Sequence, residues 1–316
     1  MSTHTPHRHA RAPMVKRQNR GLSLIEIMVS LAIGLVVIGA VFANYINNSM
    51  GSRQTAAMTQ VANDAALAFG ILRNHIAMAG YSTPTSTTPT GFTPTTVSLP
   101  IFGCEGRFDK DTDASTDPLK VTCATGKDAS TSDALLIRFE VDAQSVPTAS
   151  YESTDTTTGK TVTSQTPTDC QGNGIVPTVP PSALLADSRF QIDASTATLT
   201  CLGNGKQPRN DPLVENIAEM HLTYGVAADV VNGRPTAIIR YITASDVAQV
   251  LDSDTVKATK WARVVSTRIC LVVRSAEEVL NEPTPYRNCA QDVETPTDRR
   301  IYRAFTSTVV LNNRVL

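Results

Sequence analysis

An apolar run near the N-terminus is long enough to cross a membrane, and it restricts the folds open to the rest of the chain. From Leu22 to Ile46 the sequence reads LSLIEIMVSLAIGLVVIGAVFANYI, and Ser30 is the only clearly polar side chain between Ile27 and Phe42. About 20 apolar residues in a helix span the hydrocarbon core of a bilayer. We therefore predict a membrane-spanning helix over about 22–46.

The charges on either side of this run predict its orientation. The first twenty residues carry no acidic side chain but five basic ones, Arg8, Arg11, Lys16, Arg17 and Arg20. The whole chain has 28 basic and 29 acidic residues. Without the five basic residues of this head, 23 basic and 29 acidic residues remain, so the rest of the chain is acidic. Basic flanks stay in the cytoplasm. We expect a cytoplasmic head, an acidic body outside the inner membrane, and no binding of nucleic acid.

A cleaved secretory signal peptide is the usual alternative for a basic head before an apolar run. Its cleavage site follows the apolar core as a small-x-small motif. Here Ala40 to Ala43 offers only a poor version of that motif, and the chain stays compatible with a helix beyond it. A retained helix is the better interpretation.

Glu26 is unusual, because a carboxylate near the bilayer centre costs about 2.5–3.5 kcal/mol on insertion scales and persists mainly with a partner. A cut between Gly21 and Leu22 would create an ammonium group four residues before Glu26. That amine could neutralise Glu26 within one chain or from a neighbouring subunit. The alternative is that Glu26 lies at the headgroup boundary without a role.

The string Arg20-Gly21-Leu22-Ser23-Leu24-Ile25-Glu26 before the apolar run resembles the prepilin signal of type IV pilins and type II secretion pseudopilins. The resemblance implies that a membrane-embedded prepilin peptidase cuts after Gly21 and methylates the amine of Leu22. It also makes Glu26 the acidic residue used in assembly. Leu22 departs from the commoner Phe or Met at the first mature position.

Three C-terminal segments resemble the minor pilins of the PilW class: LVENIAE and LTYGV within 213–226, WARVVSTRICLVVRS at 261–275, and RRIYRAFTSTVVL at 299–311. The Thr-rich middle of the chain carries no such resemblance. The resemblance implies a complex with other minor pilins that starts pilus assembly at the inner membrane and then sits at the tip. Further expected partners are the major pilin, the assembly platform and, as an open possibility, a tip adhesin.

The apolar helix is predicted to continue outside the membrane. Small and aliphatic residues recur every three or four positions at Val61, Ala65, Ala68, Leu72, Ile76 and Ala79, which is the pattern of an amphipathic helix. Gly80 and the Thr/Pro-rich stretch after it end this pattern. We predict a leader over 1–21, a pilin helix over 22–80 and a periplasmic head over 81–316.

The head is predicted to be rich in β-strands, which makes the fold class α+β and pilin-like. Alternating residues predict strands at 135–141, 220–226, 265–273 and 305–311. Stretches rich in Thr, Ser, Pro and Asp at 81–100, 109–133 and 148–169 are predicted to be long loops, because they hold too few large apolar residues for a core.

The chain has six cysteines, Cys104, Cys123, Cys170, Cys201, Cys270 and Cys289, and none forms a Cys-x-x-Cys pair. An even number without metal spacing favours disulfides in an oxidising compartment. Six cysteines allow 15 pairings. We prefer the pairing of neighbours along the chain, Cys104–Cys123, Cys170–Cys201 and Cys270–Cys289, because each bond would then close a short loop. Some of them could instead be small buried residues.

No catalytic motif accompanies the two histidines outside the leader, His75 and His221, so we expect no enzyme activity and no cofactor. Asp109, Asp111, Asp113 and Asp117 have the oxygen-ligand spacing of the start of a calcium loop. However, Ala114 replaces the turn glycine and Lys120 the final glutamate, so a solvated acidic loop is the preferred interpretation.

The sequence therefore predicts a minor pilin that helps to initiate and assemble type IV pili, with twitching motility or adhesion as its outcome. The nearest alternative is a pseudopilin of a type II secretion system. A second alternative is a ligand-binding or DNA-uptake pilin that uses the Thr-rich loops, and the acidic body argues against DNA.

Overall fold

A computed structural model describes residues 21, 23–82, 99–109, 121–125, 131–141, 146–154, 159–175, 184–205, 210–228, 230–231, 234–235, 237–249 and 260–314. The chain forms two compact units, Met1–Ser52 and Arg53–Leu316. The long helix α1, Leu24–Met78, begins in the first unit and ends in the second.

In the first unit, α1 carries apolar side chains around its whole circumference. Leu24, Ile25, Leu35, Val36 and Tyr45 are all at least 65% exposed. Within the described residues, α1 is the one helix that is long and apolar enough to cross a membrane. A helix that is apolar all round needs lipid or other helices around it.

The second unit consists of antiparallel strands and the C-terminal part of α1. A five-stranded sheet has the order β1-β2-β5-β6-β7, and a four-stranded sheet has the order β11-β8-β12-β15. Hairpins pair β3 with β4, β9 with β10, and β13 with β14. The strands are β1 Ile101–Cys104, β2 Ala134–Val141, β3 Thr148–Thr154, β4 Thr161–Pro167, β5 Leu184–Asp193, β6 Thr198–Leu202, β7 Asp211–Glu215, β8 Ile217–Ala227, β9 Val230–Val231, β10 Arg234–Pro235, β11 Ile238–Ile242, β12 Val264–Arg274, β13 Tyr286–Arg287, β14 Val293–Glu294 and β15 Tyr302–Val310; a short helix α2 spans Ala244–Gln249 and a 3-10 turn spans Asn312–Arg314.

The predicted amphipathic face of α1 is confirmed. Val61, Ala65, Ala68, Leu72 and Ile76 are all at most 2% exposed and belong to the core formed with the strands. Fully burying a side chain such as Leu or Ile stabilises a fold by about 1.5–3 kcal/mol. The α+β prediction of a long N-terminal helix with a β-rich head is confirmed as well.

Gly80 ends the helix by taking a left-handed conformation, with φ 73°. Its N–H then donates to the carbonyl of Arg138 on β2 at 2.9 Å, instead of to a helical carbonyl. Glycine adopts this conformation without a Cβ clash, which is why it commonly follows the last helical residue. The same contact places the end of α1 against the five-stranded sheet.

The prediction of a loop over 148–169 is wrong. β3 and β4 form an antiparallel hairpin there, with Thr148 opposite Pro167 and Thr154 opposite Thr161. Threonine is β-branched and favours extended backbone even where no apolar alternation marks a strand. Of the other predicted loops, 83–98, 110–120 and 126–130 lie outside the described residues.

The six cysteines are joined in three disulfides, Cys104–Cys123, Cys170–Cys201 and Cys270–Cys289. No cysteine in the described chain is free. The first bond joins β1 to residues after the 110–120 segment, the second joins the turn after β4 to β6, and the third joins β12 to the β13–β14 hairpin. Each bond therefore fastens a long connection to a sheet.

Candidate assembly site at the start of the N-terminal helix

Ser23 and Glu26 close the start of α1 by reciprocal hydrogen bonds. The Glu26 N–H donates to Ser23 Oγ at 3.3 Å, and the Ser23 N–H donates to Glu26 Oε2 at 3.4 Å. The Glu26 and Ile27 amides also donate to the Ser23 carbonyl, at 3.1 and 3.2 Å. This arrangement is a capping box, which gives partners to amides that the first turn of a helix leaves free.

The capping box gives Glu26 a partner that the sequence interpretation missed. That interpretation used only the spacing of Glu26 from Gly21, whereas Ser-x-x-Glu before an apolar run is itself a signal for a helix start. Of the predicted processing residues, Gly21 is exposed and Leu22 lies outside the described residues. The structure therefore describes Glu26 but not the Leu22 amine with which it was predicted to pair.

Two further polar side chains of the apolar segment donate hydrogen bonds to backbone carbonyls of the same helix. Ser30 Oγ donates to the Glu26 carbonyl at 2.6 Å, and Asn44 Nδ2 donates to the Ala40 carbonyl at 3.0 Å. A polar group without a partner in hydrocarbon costs several kcal/mol. These internal bonds make the segment compatible with lipid despite its polar residues.

One face of the segment forms a shallow apolar groove with the Glu26 side chain at its N-terminal end. The groove is lined by residues at helical spacing, Glu26, Ile27, Ser30, Leu31, Gly34, Leu35 and Ile38. A Cβ at Gly34 would meet no atom within 4 Å, so the glycine leaves a notch in this face. Small residues of this kind let a second helix approach closely in a membrane.

Three partly buried ionisable groups of the second unit, Asp133, His221 and His75, have hydrogen-bond partners within the fold. Burial raises the pKa of Asp133 to about 6, although the Leu222 N–H donates to its Oδ2 at 2.7 Å. A hydrogen bond to Glu219, at 3.1 Å, raises the pKa of His221. Burial lowers the pKa of His75, whose Nδ1 lies 2.9 Å from the Ile71 carbonyl.

Asp187 makes two charge contacts in the core of the five-stranded sheet. Its Oδ2 accepts from Arg138 Nε at 2.7 Å and its Oδ1 from Arg189 Nε at 3.0 Å, with all three side chains at most 4% exposed. All three groups lie on β2 and β5 of the five-stranded sheet. A buried charge needs such pairing to stay in a core.

The predicted calcium site falls mostly outside the described residues. Asp109 is described at the end of a segment after β1, whereas Asp111, Asp113 and Asp117 are not. In the described part of the chain, no three His, Cys, Asp or Glu side chains form a group that could hold a metal ion. The calcium interpretation stays an untested prediction.

Two family models match this chain. Residues 189–313 match the family described as Type IV Pilus-assembly protein W, a range that holds the whole four-stranded sheet. Residues 16–42 match the family described as Prokaryotic N-terminal methylation motif, a range that holds Gly21, Leu22, the capping box and the apolar groove. Together the two matches support a type IV pilin of the PilW class.

Among solved structures, a type IV-like pilin from Thermus thermophilus is similar with 9% sequence identity and a TM-score of 0.37, over 81% of this chain and 100% of the other. No curated protein matches the sequence. For a PilW-class pilin, the methylation motif implies processing by a prepilin peptidase and assembly into a pilus with other pilins. The motif and the apolar helix indicate membrane anchoring, and the pilin family is structural rather than enzymatic.

Proposed function

We propose that this PilW-class pilin is a minor pilin that starts and assembles type IV pili, sits at the pilus tip, and thereby supports twitching motility or adhesion. The observation that carries the proposal is the position of Glu26. It lies in the first turn of a helix whose apolar groove is exposed and able to receive another helix.

The proposed path begins in the inner membrane. The basic leader stays in the cytoplasm, α1 crosses once, and the body lies in the periplasm, an oxidising compartment that suits three disulfides. A prepilin peptidase cuts between Gly21 and Leu22 and methylates the Leu22 amine. The body's excess of acidic residues leaves no electrostatic reason to bind DNA.

During assembly, the Glu26 carboxylate then changes the group with which it pairs. In the isolated chain, Glu26 accepts from the Ser23 N–H. In the pilus it pairs with the Leu22 amine of a neighbouring pilin, and the groove from Ile27 to Ile38 packs against the helix of that neighbour. The neighbours are other minor pilins and the major pilin, joined at the assembly platform, with a tip adhesin as a further partner.

The test replaces the chromosomal copy with Glu26→Ala or the matched variant Glu26→Asp. Both proteins should insert and be cut at Gly21, because Glu26 lies within the segment that follows the cut. Surface pili and twitching should be lost with Glu26→Ala and partly kept with Glu26→Asp. Normal piliation with Glu26→Ala would overturn the proposed role of the carboxylate.

A deletion strain separates the pilus from the secretion alternative. Loss of surface pili with normal exoprotein secretion supports the minor pilin. Loss of exoprotein secretion with normal pili would identify a type II pseudopilin instead.

A further inference from the structure

β15 is an edge strand of the four-stranded sheet. It pairs with β12 over its whole length, from Tyr302 opposite Arg274 to Val310 opposite Ser266. Among the described strands, none lies on its other side. The edge that faces away from β12 is therefore open to another strand.

The hydrogen-bonding groups on this open edge can be assigned. Leu311 lies opposite Val265 in the register and donates its N–H to the Val265 carbonyl at 2.9 Å. In an antiparallel pair, bonded and non-bonded residues alternate, so alternate residues of β15 direct N–H and C=O away from β12. By this alternation the outward residues are Ala304, Thr306, Thr308 and Val310, and no backbone bond joins them to a described residue outside the ladder with β12.

The sequence of this edge does nothing to block pairing. From Ala304 to Val310 it reads AFTSTVV, without a charge, a proline or a glycine. Its register with β12 has no bulge. Proteins usually protect edges with lysine, proline or bulges. The opposite edge strand of the same sheet, β11, does have a register shift, between Ile238 and Arg240.

A groove of about 950 Å³ lies between this strand and α1. Its helix wall is made mainly of small residues, Ala62, Ala65, Ala66, Gly70 and Ala77, and its strand wall runs from Phe305 to Val310. A neighbouring strand lies about 4.8 Å from its partner, with alternate side chains directed to each face of the sheet. Small residues on α1 leave room for the side chains that an added strand would direct toward the helix.

The charge of the groove indicates one property of its occupant. Arg73 is the only charged residue among the described residues that line it. No ion pair joins Arg73 to any described acidic residue. A guanidinium binds a carboxylate through two parallel hydrogen bonds. A matching segment therefore carries an acidic residue opposite Arg73 and uncharged residues elsewhere.

We propose that this groove receives an extended segment of another pilin subunit, which adds to β15 as a fifth strand and places a carboxylate against Arg73. The inference rests on the proposed function, because the partner is taken from the pilins that assemble with this chain. Strand addition supplies affinity through main-chain bonds and specificity through alternate side chains.

The test uses the full chain in living cells. The photo-crosslinking residue p-benzoylphenylalanine replaces Thr306 on the open edge, Ile239 on β11, or Leu31 on the apolar helix, all of which are exposed. We expect an adduct from position 306 that contains a segment of another pilin with an acidic residue, and no such adduct from position 239. Adducts from position 31 report helix packing and thus test the proposed function separately.

Variants then show whether the adduct depends on strand pairing. Thr308→Pro removes an outward N–H without removing a bond to β12, so the yield at position 306 should fall about tenfold, the effect of one or two lost backbone bonds. Thr308→Val keeps the N–H and should leave the yield unchanged. Arg73→Gln should lower the yield, and Arg73→Lys should lower it less.

Several outcomes would overturn the strand proposal. These are pilin adducts at position 31 with none at 306, an adduct at 306 with a protein that is not a pilin or with this chain itself, or an unchanged yield with Thr308→Pro. If pilin adducts are absent at position 31 as well as at position 306, the proposed function fails together with the strand proposal.

Discussion

Arg138 on β2 and Asp187 on β5 lie directly opposite each other in the five-stranded sheet, and Arg138 Nε donates to Asp187 Oδ2 at 2.7 Å. Arg189, two residues farther along β5, donates to the other oxygen of the same carboxylate. One acidic group thus compensates two buried guanidinium groups. The sheet depends on that carboxylate more than on any exposed ion pair.

Asp187→Asn should therefore lower the free energy of unfolding by about 3–5 kcal/mol, the cost of breaking a buried pair from one side. Chemical denaturation of the purified chain measures this. Glu278→Gln is the matched control, because it breaks the 2.9 Å pair with Arg299, whose side chain is 55% exposed. That change should cost less than about 1 kcal/mol. Equal losses in the two variants would contradict the prediction.

Ser23→Ala should weaken the first turn of α1, because the Glu26 N–H loses its side-chain acceptor. Loss of an N-cap hydroxyl costs about 1 kcal/mol. Hydrogen exchange of the Glu26 and Ile27 amides in detergent should accelerate about fivefold. Ser23→Thr keeps the hydroxyl and should exchange like the unaltered chain. Identical exchange in all three proteins would mean that the capping box does not hold the helix start.

His75 should make the second unit less stable in acid. Its ring lies 4.9 Å from the Phe190 ring, and burial lowers its pKa below the usual 6.5. Below about pH 6.5, His75 binds a proton in the unfolded chain but not in the folded chain. The free energy of unfolding therefore falls as the pH drops toward the folded pKa of His75. His75→Gln should flatten this decline in denaturation measured from pH 7.5 to 5.

His221→Gln provides a control of opposite sign. Its pKa is raised in the folded state, chiefly by the bond to Glu219, so its stabilising effect is complete below the unfolded pKa and is lost as the pH rises. The variant should therefore lose stability mainly at low pH. If both histidine variants change the pH dependence in the same direction, one of the two assignments is wrong.

Asp133→Asn should stabilise the fold at neutral pH but not in acid. Burial raises the pKa of Asp133 to about 6 from a usual value of 3.8, so the cost of ionising this carboxylate in the folded state begins above about pH 4 and is nearly complete above about pH 6. This difference corresponds to at most about 3 kcal/mol. The gain in unfolding free energy should be absent below about pH 4 and should grow up to pH 7. A gain that is constant with pH would mean that ionisation of the buried carboxylate is not its cause.

The intact mass of the protein extracted from membranes should show processing and disulfides together. We expect a chain that begins at Leu22, is heavier by one methyl group of about 14 Da, and gains about 6 Da on reduction. A full-length chain, or one cut beyond Phe42, would instead indicate an ordinary anchor or a signal peptide.

Sequence periodicity predicted the parts of the fold in which residue types repeat at a regular spacing along the chain. The buried face of α1 from Val61 to Ile76 and the strands β2, β8, β12 and β15 all carry such a pattern. It could not reveal that β2 is covered on both faces, because the buried Arg138 pairs with Asp187, 49 residues away. It also failed at β3 and β4, whose Thr-rich strands lack apolar alternation.

The candidate site was predicted only where its residues form a pattern that is local in the sequence. The spacing of Glu26 from Gly21 is visible in the sequence, and so is the Ser-x-x-Glu signal of the Ser23 cap, which the prediction did not use. The outward-facing groups of β15 depend instead on sheet order and register. Strand order is set by contacts distant in the chain, so a single sequence cannot supply it.

The three disulfides limit how far the second unit can lengthen if it is pulled. They close separate stretches of 19, 31 and 19 residues, together 69 residues that cannot be drawn out while the bonds are intact. At about 3.5 Å per extended residue, the three bonds keep roughly 240 Å of contour length from being extended. An oxidised chain thus transmits force after far less extension than a reduced one.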